Sequence, residues 1–390
     1  MRTAIFILIL SISISSFAQL KEGFDPDEAK LLIAICNSYK FVDLYGSDSE
    51  IIPKDFRKVF TSEVTGLDNM FQVYENKQVG VINFRGTTSN TSSMVANLFS
   101  AMIKSEGIIK IDNEDCVYKF ASDTAAAVHS GYALAVVLIS PVLIEQINKL
   151  NTKGIYHILI TGHSQGGALA HLSHAYLENL SEGEISSKNV FKTYSFGNPM
   201  CGNEAFAKEY ELNYSENNMS YSIINTADKI PKMPMHFGDE KNVFGSLFYK
   251  RWANILEGKP APKIKDLVKQ IFEPPLKDQV RFSSQLIEKI VASSYVSIDM
   301  PAYVRDINYF PTGAIREIGP FSEPKIPVDT LGMTAMEIAE LQQDEDGGYY
   351  NIPTSFSQHD AYQYYVAFLK EYFSRDYKEL DFLYLPEVIE

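Results

Sequence analysis

Cysteine, basic charge, repetition and uninterrupted hydrophobic runs are all scarce in this sequence. Cys36, Cys116 and Cys201 are the only cysteines, so at most one disulfide can form. With no C-x-x-C pair and no clustered His/Cys spacing, no metal site is expected. The 35 basic residues are outnumbered by 49 acidic ones, and a net charge of −14 leaves no electrostatic footprint for nucleic acid. No internal repeat or low-complexity tract is present. Across 390 residues, 45% are hydrophobic and 22% charged, enough to bury a core, which excludes a disordered chain.

Two apolar stretches raise the question of a membrane. In the first, Arg2 precedes an apolar run over 5–14, and Ser16-Phe17-Ala18 places small residues before a cut after Ala18. That pattern is expected to act as an export leader over 1–18, for a secreted or periplasmic protein. The run is too short to span, and no basic stop-transfer cluster follows it. The second, over 125–144, is interrupted by His129, Gly131, Ser140 and Pro141, and it reads as a buried helix after a short strand. No transmembrane anchor is therefore expected in the mature chain.

Apolar residues at Ala29, Leu32, Ile33, Cys36 and Tyr39 predict a helix over 27–45. Strand-like runs over 70–74 and 78–84 flank Glu75-Asn76-Lys77, which is hairpin chemistry. Helix (132–151), strand (156–161), helix (166–178), strand (190–196), helix (202–209) and strand (220–225) follow in turn. This alternation predicts crossover units and a mostly parallel sheet with helices on both faces. The rhythm is lost in a proline-rich stretch, 236–350, which is expected to be an insertion or cap, and a last helix is expected over 361–373.

Gly162-His163-Ser164-Gln165-Gly166 matches G-x-S-x-G between a strand pattern and a helix pattern. A tight turn there brings backbone close on both sides of the serine, and the flanking glycines avoid the clash of a Cβ. The serine hydroxyl is then exposed above a helix N-terminus. Serine needs a base, and the base an orienting acid. Asp228, just past the strand ending at Asn225, is the best acid. His236 and His359 both follow late enough to be the base, and their positions favour His359, in a loop just before the last helix.

Six segments in order carry a family resemblance: Val81-Ile82-Asn83-Phe84-Arg85-Gly86-Thr87, Val128-His129-Ser130-Gly131-Tyr132, the stretch around Ser164, Ser195-Phe196-Gly197-Asn198-Pro199, Asn225-Thr226-Ala227-Asp228-Lys229-Ile230-Pro231 and His359-Asp360-Ala361-Tyr362. Together they resemble the class 3, fungal-type lipases. The resemblance implies an α/β-hydrolase fold: a first part over 19–235, the insertion or cap over 236–350, and a C-terminal part over 351–390. It also implies Ser164 as nucleophile, Asp228 as acid and His359, opening an H-x-x-Y match, as base, with His236 a non-catalytic H-x-G histidine. Thr87 and Gln165 are implied in the oxyanion hole, with the Thr87 hydroxyl a further candidate donor, and His129 behind them. Gln165 departs from the family's usual leucine, and Cys201 stands where an aliphatic residue is common.

Val95, Leu98, Phe99, Met102 and Ile103 repeat at helical spacing, predicting one apolar helix face. It is either ordinary packing or, as the resemblance implies, a lid. Residues 250–289 hold nine basic and five acidic residues, a solvated face or a contact for anionic lipid.

The reading as a whole is an exported serine ester hydrolase acting on acylglycerols or related lipids and needing no cofactor. Phospholipase A1, feruloyl-type esterase and peptidase activities are the alternatives among enzymes. A non-catalytic lipid-binding or scaffold protein on the same fold is the alternative outside them. Acyl-chain preference, head group and oligomeric state are not legible.

Overall fold

The computed structural model describes residues 20, 22–234, 297–321, 326–334, 338, 341–343, 346–351, 357–383 and 385. The expected leader, His236 and the basic run over 250–289 lie outside the described residues.

The chain opens with helices α1 (Pro26–Cys36) and α2 (Ser38–Tyr45). The single helix expected over 27–45 is interrupted at Asn37, whose buried side chain donates to Ile33 O at 2.9 Å and to Ala361 O at 3.1 Å. Strands β1 (Arg57–Thr61), β2 (Phe71–Glu75) and β3 (Val79–Phe84) form an antiparallel meander. Asn76 Oδ1 accepts from the Gln78 and Val79 N–H groups and closes the β2–β3 turn. Sequence patterning misses β1, because its residues are mostly exposed and give no apolar run.

Helix α3 (Thr91–Leu98) is followed by β4 (Met102–Lys104), β5 (Glu106–Ile111), β6 (Glu114–Lys119) and β7 (Ala127–His129). Then come α4 (Ser130–Thr152), β8 (His157–His163), α5 (Gln165–Glu178), β9 (Val190–Phe196), β10 (Gly202–Asn203), α6 (Glu204–Tyr210) and β11 (Ser220–Asn225). Further on lie β12 (Ile298–Asp299), β13 (Tyr309–Phe310), β14 (Ala314–Ile318), β15 (Ile326–Pro327), β16 (Gln342–Gln343), β17 (Tyr349–Asn351), α7 (Ala361–Tyr372) and α8 (Ser374–Lys378).

The central sheet runs β1-β2-β3-β8-β9-β11-β14, parallel from β3 to β14. Alternation along its strands feeds two cores: Ile82, Ile158 and Ile160 pack with α4 and α5, whereas Val81, Leu159 and Ile223 pack with α1 and α7. Each such aliphatic side chain, fully buried, contributes about 1.5–3 kcal/mol. The architecture is the α/β-hydrolase fold.

Helix α4 has the length and composition to cross a membrane, but 72% of its most apolar window is buried inside the structure, so it is a core helix. Pro141 removes the N–H that would pair with Val137 O, and Ser140 Oγ donates to that carbonyl at 2.9 Å instead.

Two expectations are corrected here. Part of the stretch expected as a cap is built into the body of the fold: β12 pairs with β5, β13 with β10, and β14 with β11 as the seventh strand of the central sheet. Among the described residues of that stretch, only β15, β17 and β16 form a small sheet of their own.

The second correction concerns Val95, Leu98, Phe99, Met102 and Ile103, which do not share a helix face. Helix α3 stops at Leu98, where Gly131 N donates to Phe99 O and Ser130 N to Ala101 O, each at 3.0 Å. Met102 and Ile103 then pair with β7 as strand. Leu98, Phe99, Met102 and Ile103 are buried. The stripe is packing, and the lid reading on that face is set aside.

Candidate active site

The chemistry-bearing side chains gather beyond the carboxyl ends of the parallel strands, where an open α/β sheet leaves a crevice. Ser164 follows β8, Thr87 lies just past β3, and Asp228 lies just past β11. The turn at Ser164 is sharp: φ is +58° and ψ is −129°, a conformation costly for any side chain but glycine. Its glycines are required by space, since a Cβ on Gly162 would come within 2.3 Å of Gly166 backbone and one on Gly166 within 2.2 Å of Phe84 O. Ser164 N donates to Phe196 O at 2.9 Å and fastens the turn to the neighbouring strand.

Ser164, His359 and Asp228 come together. Ser164 Oγ is 2.8 Å from His359 Nε2, and His359 Nδ1 is 2.7 Å from Asp228 Oδ2. With the ring proton on Nδ1, the imidazole donates to the carboxylate and leaves Nε2 to accept from the serine. Asp228 Oδ2 also accepts from the Tyr364 hydroxyl at 2.6 Å, and Oδ1 from Ile230 N at 2.9 Å. Burial alone would raise the Asp228 pKa. The neighbouring His359 and the hydrogen bonds from His359, Tyr364 and Ile230 outweigh it and hold the carboxyl below its ordinary range.

His359 ends a 3-10 turn, Ser357–His359, directly before α7. The turn is held from two sides. Asn225 Nδ2 donates to Gln358 O and Oε1, while Gln358 Nε2 donates to Phe321 O at 2.8 Å. Asp360 caps α7 by accepting from the Tyr362 and Gln363 N–H groups, and it pairs with Lys40 at 2.6 Å. The ring of His163 packs 4.7 Å from that of His359 between centroids. Burial, with His359 beside it, pushes the His163 pKa down to about 3, so this ring stays neutral.

Thr87 and Gln165 flank the serine. Gln165 is the first residue of α5, and its backbone N–H has no partner within the helix. The Thr87 N–H likewise has no partner among the described residues. The Thr87 hydroxyl donates to Gln165 Oε1 at 3.0 Å, and Asn97 Nδ2 lies 3.0 Å from Thr87 Oγ1. His129 is buried and does not reach the serine. Its Nε2 sits 3.3 Å from Asn97 O, and its ring stacks on Tyr132, whose hydroxyl donates to Asn97 Oδ1 at 2.8 Å. A pocket beside Ser164 is lined by Thr87, Asn97 and Tyr132 together with the apolar Pro199, Ile230 and Met233.

Sequence reasoning missed Tyr364, Asn97, and the pair Asn225 and Gln358. The H-x-x-Y match draws attention to Tyr362, whose hydroxyl instead donates to Phe382 O. Asn97 gave no signal, since it lies off the spacing of Val95, Leu98 and Phe99. The cysteines are free thiols, with Cys36 and Cys201 buried and pushed up to about 12 by that burial. Among the described residues no group of acidic, His and Cys side chains is placed to hold a metal ion.

Residues 81–238 match the family described as lipase (class 3). A secreted mono- and diacylglycerol lipase of Malassezia restricta is 26% identical over 171 residues, 43% of this chain and 51% of the relative. The chain thus spans about half the length of the curated relatives it matches. Among solved structures, the Rhizomucor miehei lipase propeptide complex is similar at 21% identity, covering 55% of this chain and 65% of that one, with a TM-score of 0.41. Lipase II from Rhizopus niveus is similar at 23% identity, covering 54% and 74%, with a TM-score of 0.39. The stretch that carries Thr87, Ser164 and Asp228, residues 81–238, is thus similar to the class 3 lipases, and His359 lies outside the match.

Proposed function

We propose that this chain hydrolyses carboxylic esters of acylglycerols or related lipids through an acyl-enzyme on Ser164. The observation that carries the reading is the relay in which Ser164 Oγ, His359 and Asp228 Oδ2 are joined by contacts of 2.8 and 2.7 Å. His359 Nε2 takes the serine proton as Oγ attacks the ester carbonyl carbon. The imidazolium that forms is stabilised by Asp228. As the carbon–oxygen bond of the ester breaks, the same proton passes to the departing alcohol. Water then repeats the sequence, with His359 again as base, and releases the acid.

The charge that develops on the carbonyl oxygen is met by the backbone N–H groups of Thr87 and Gln165. Losing one such donor typically costs about 10²–10³ in rate. Ile230, Met233 and Pro199 offer the acyl chain an apolar wall, which supports a lipid ester over a peptide. Export through residues 1–18 belongs to the same reading.

The test is a hydrolysis panel of a short soluble ester, triacylglycerol, diacylglycerol and phospholipid, run with wild type and Ser164→Ala. Turnover of acylglycerols by wild type alone is expected. A folded wild type that cleaves none of these esters would leave the non-catalytic, lipid-binding reading in its place. Phospholipid turnover without acylglycerol turnover would shift the reading to phospholipase A1.

A further inference from the structure

Gln165 is only 2% exposed, yet it buries a primary amide where a leucine of similar size would pack without any need for partners. The amide is almost fully satisfied. Its Oε1 accepts from the Thr87 hydroxyl at 3.0 Å and lies 3.3 Å from Asn97 Nδ2, and its Nε2 donates to Asn69 Oδ1 at 3.2 Å. Thr87 is gripped from a second side by Asn97 Nδ2 at 3.0 Å. The flanks of Thr87 are pinned as well: Arg85 pairs with Asp68 at 3.1 Å, and the Thr88 hydroxyl donates to Asp68 Oδ2 at 2.5 Å.

We propose that the Gln165 side chain is a positioning group that locks the two oxyanion donors to each other, a proposal that rests on the reading of Ser164 as the nucleophile. The backbone N–H of Gln165 is one donor. Through its Oε1, the same residue fixes the side chain of Thr87, which carries the other. Because the Thr87 hydroxyl proton points to Gln165, the hole is built from the two backbone N–H groups and the hydroxyl serves as a strut. This arrangement suits the chemistry, since donors pay off only when held in place before charge develops, and a misplacement of about 1 Å costs on the order of 10²-fold.

The test measures Gln165→Leu, Thr87→Val and the double variant on a soluble p-nitrophenyl ester, with inhibition by an alkyl boronic acid as a probe of the tetrahedral state. Gln165→Leu keeps its backbone N–H. It is expected to lower kcat about tenfold, to leave KM within about twofold, and to weaken the boronic acid by the factor lost in kcat. Thr87→Val is expected to match it, and the double variant to be no worse than the poorer single one, because each breaks the same strut. A purely structural role would lower thermal stability without this split between kcat and KM.

Full kcat and full boronic acid affinity in Gln165→Leu, or strictly multiplicative losses in the double variant, would overturn the proposal. If Gln165→Leu fails to fold, Thr87→Val, a change of similar volume, decides alone: unchanged kcat and boronic acid affinity contradict the strut. A wild type without esterase activity defeats the reading of Ser164 instead, so the two failures are told apart.

Discussion

Tyr364 donates its hydroxyl to Asp228 Oδ2 at 2.6 Å, the same oxygen that faces His359 Nδ1 at 2.7 Å, while the Tyr364 oxygen accepts from Asn225 N at 3.1 Å. One phenol thus joins the strand that delivers the acid to the helix that follows the base. Tyr364→Phe leaves the ring packed and removes the hydrogen bond to the carboxylate together with the acceptor for Asn225 N. A hydrogen bond to a charged group contributes about 1.5–3 kcal/mol, so kcat on a soluble ester is expected to fall about tenfold or more. Tyr362→Phe, which loses only its bond to Phe382 O, is expected to keep kcat within about twofold of wild type. Equal kinetics for the two variants would contradict this assignment.

The strain at Ser164 predicts an inverse relation between activity and stability. At φ +58° and ψ −129° a side chain costs about 1–3 kcal/mol that glycine avoids, and part of this gain is offset by the greater freedom of glycine in the unfolded chain. Ser164→Gly and Ser164→Ala are both expected to be inactive, with the glycine variant the more stable by about 1 kcal/mol in denaturant titrations. A glycine variant no more stable than the alanine one would show that the turn is unstrained.

Four histidines make the fold sensitive to acid. Burial first of all pushes His129, His163 and His174 down to about 3 and His171 to about 4, from an ordinary value of 6.5. The unfolded chain protonates these rings below about 6.5, whereas the folded chain keeps them neutral. Their contribution to stability is therefore complete above that pH and is lost as pH falls toward the depressed values. Unfolding free energy should decline from pH 7 to 5. In His174→Gln the decline should be shallower by about 1.4 kcal/mol per pH unit near pH 5. The same slope in both proteins would remove His174 from the account.

What could be read in the sequence was local. Steric demands within five residues reveal the Ser164 turn, and short strand-like runs set between helix patterns reveal β8, β9 and β11, which are buried on both faces. The parts that stayed illegible depend on partners far along the chain. Tyr364 reaches Asp228 across 136 positions, and Gln358 is held by Asn225 across 133. The stripe through Val95 and Ile103 misled because spacing alone does not register that Ser130 and Gly131 capture the backbone at Phe99 and Ala101 and turn the chain into β4. Strand β14 was hidden because it has exposed residues at three of its five positions and lies within the proline-rich stretch.

The most direct test of the relay is covalent capture by a fluorophosphonate, with the adduct mapped by peptide mass spectrometry. A single adduct on Ser164 is expected in the wild type, absent in Ser164→Ala and formed at least about 10²-fold more slowly in His359→Ala. An adduct on a different serine, or labelling that proceeds at the wild-type rate without His359, would contradict the account.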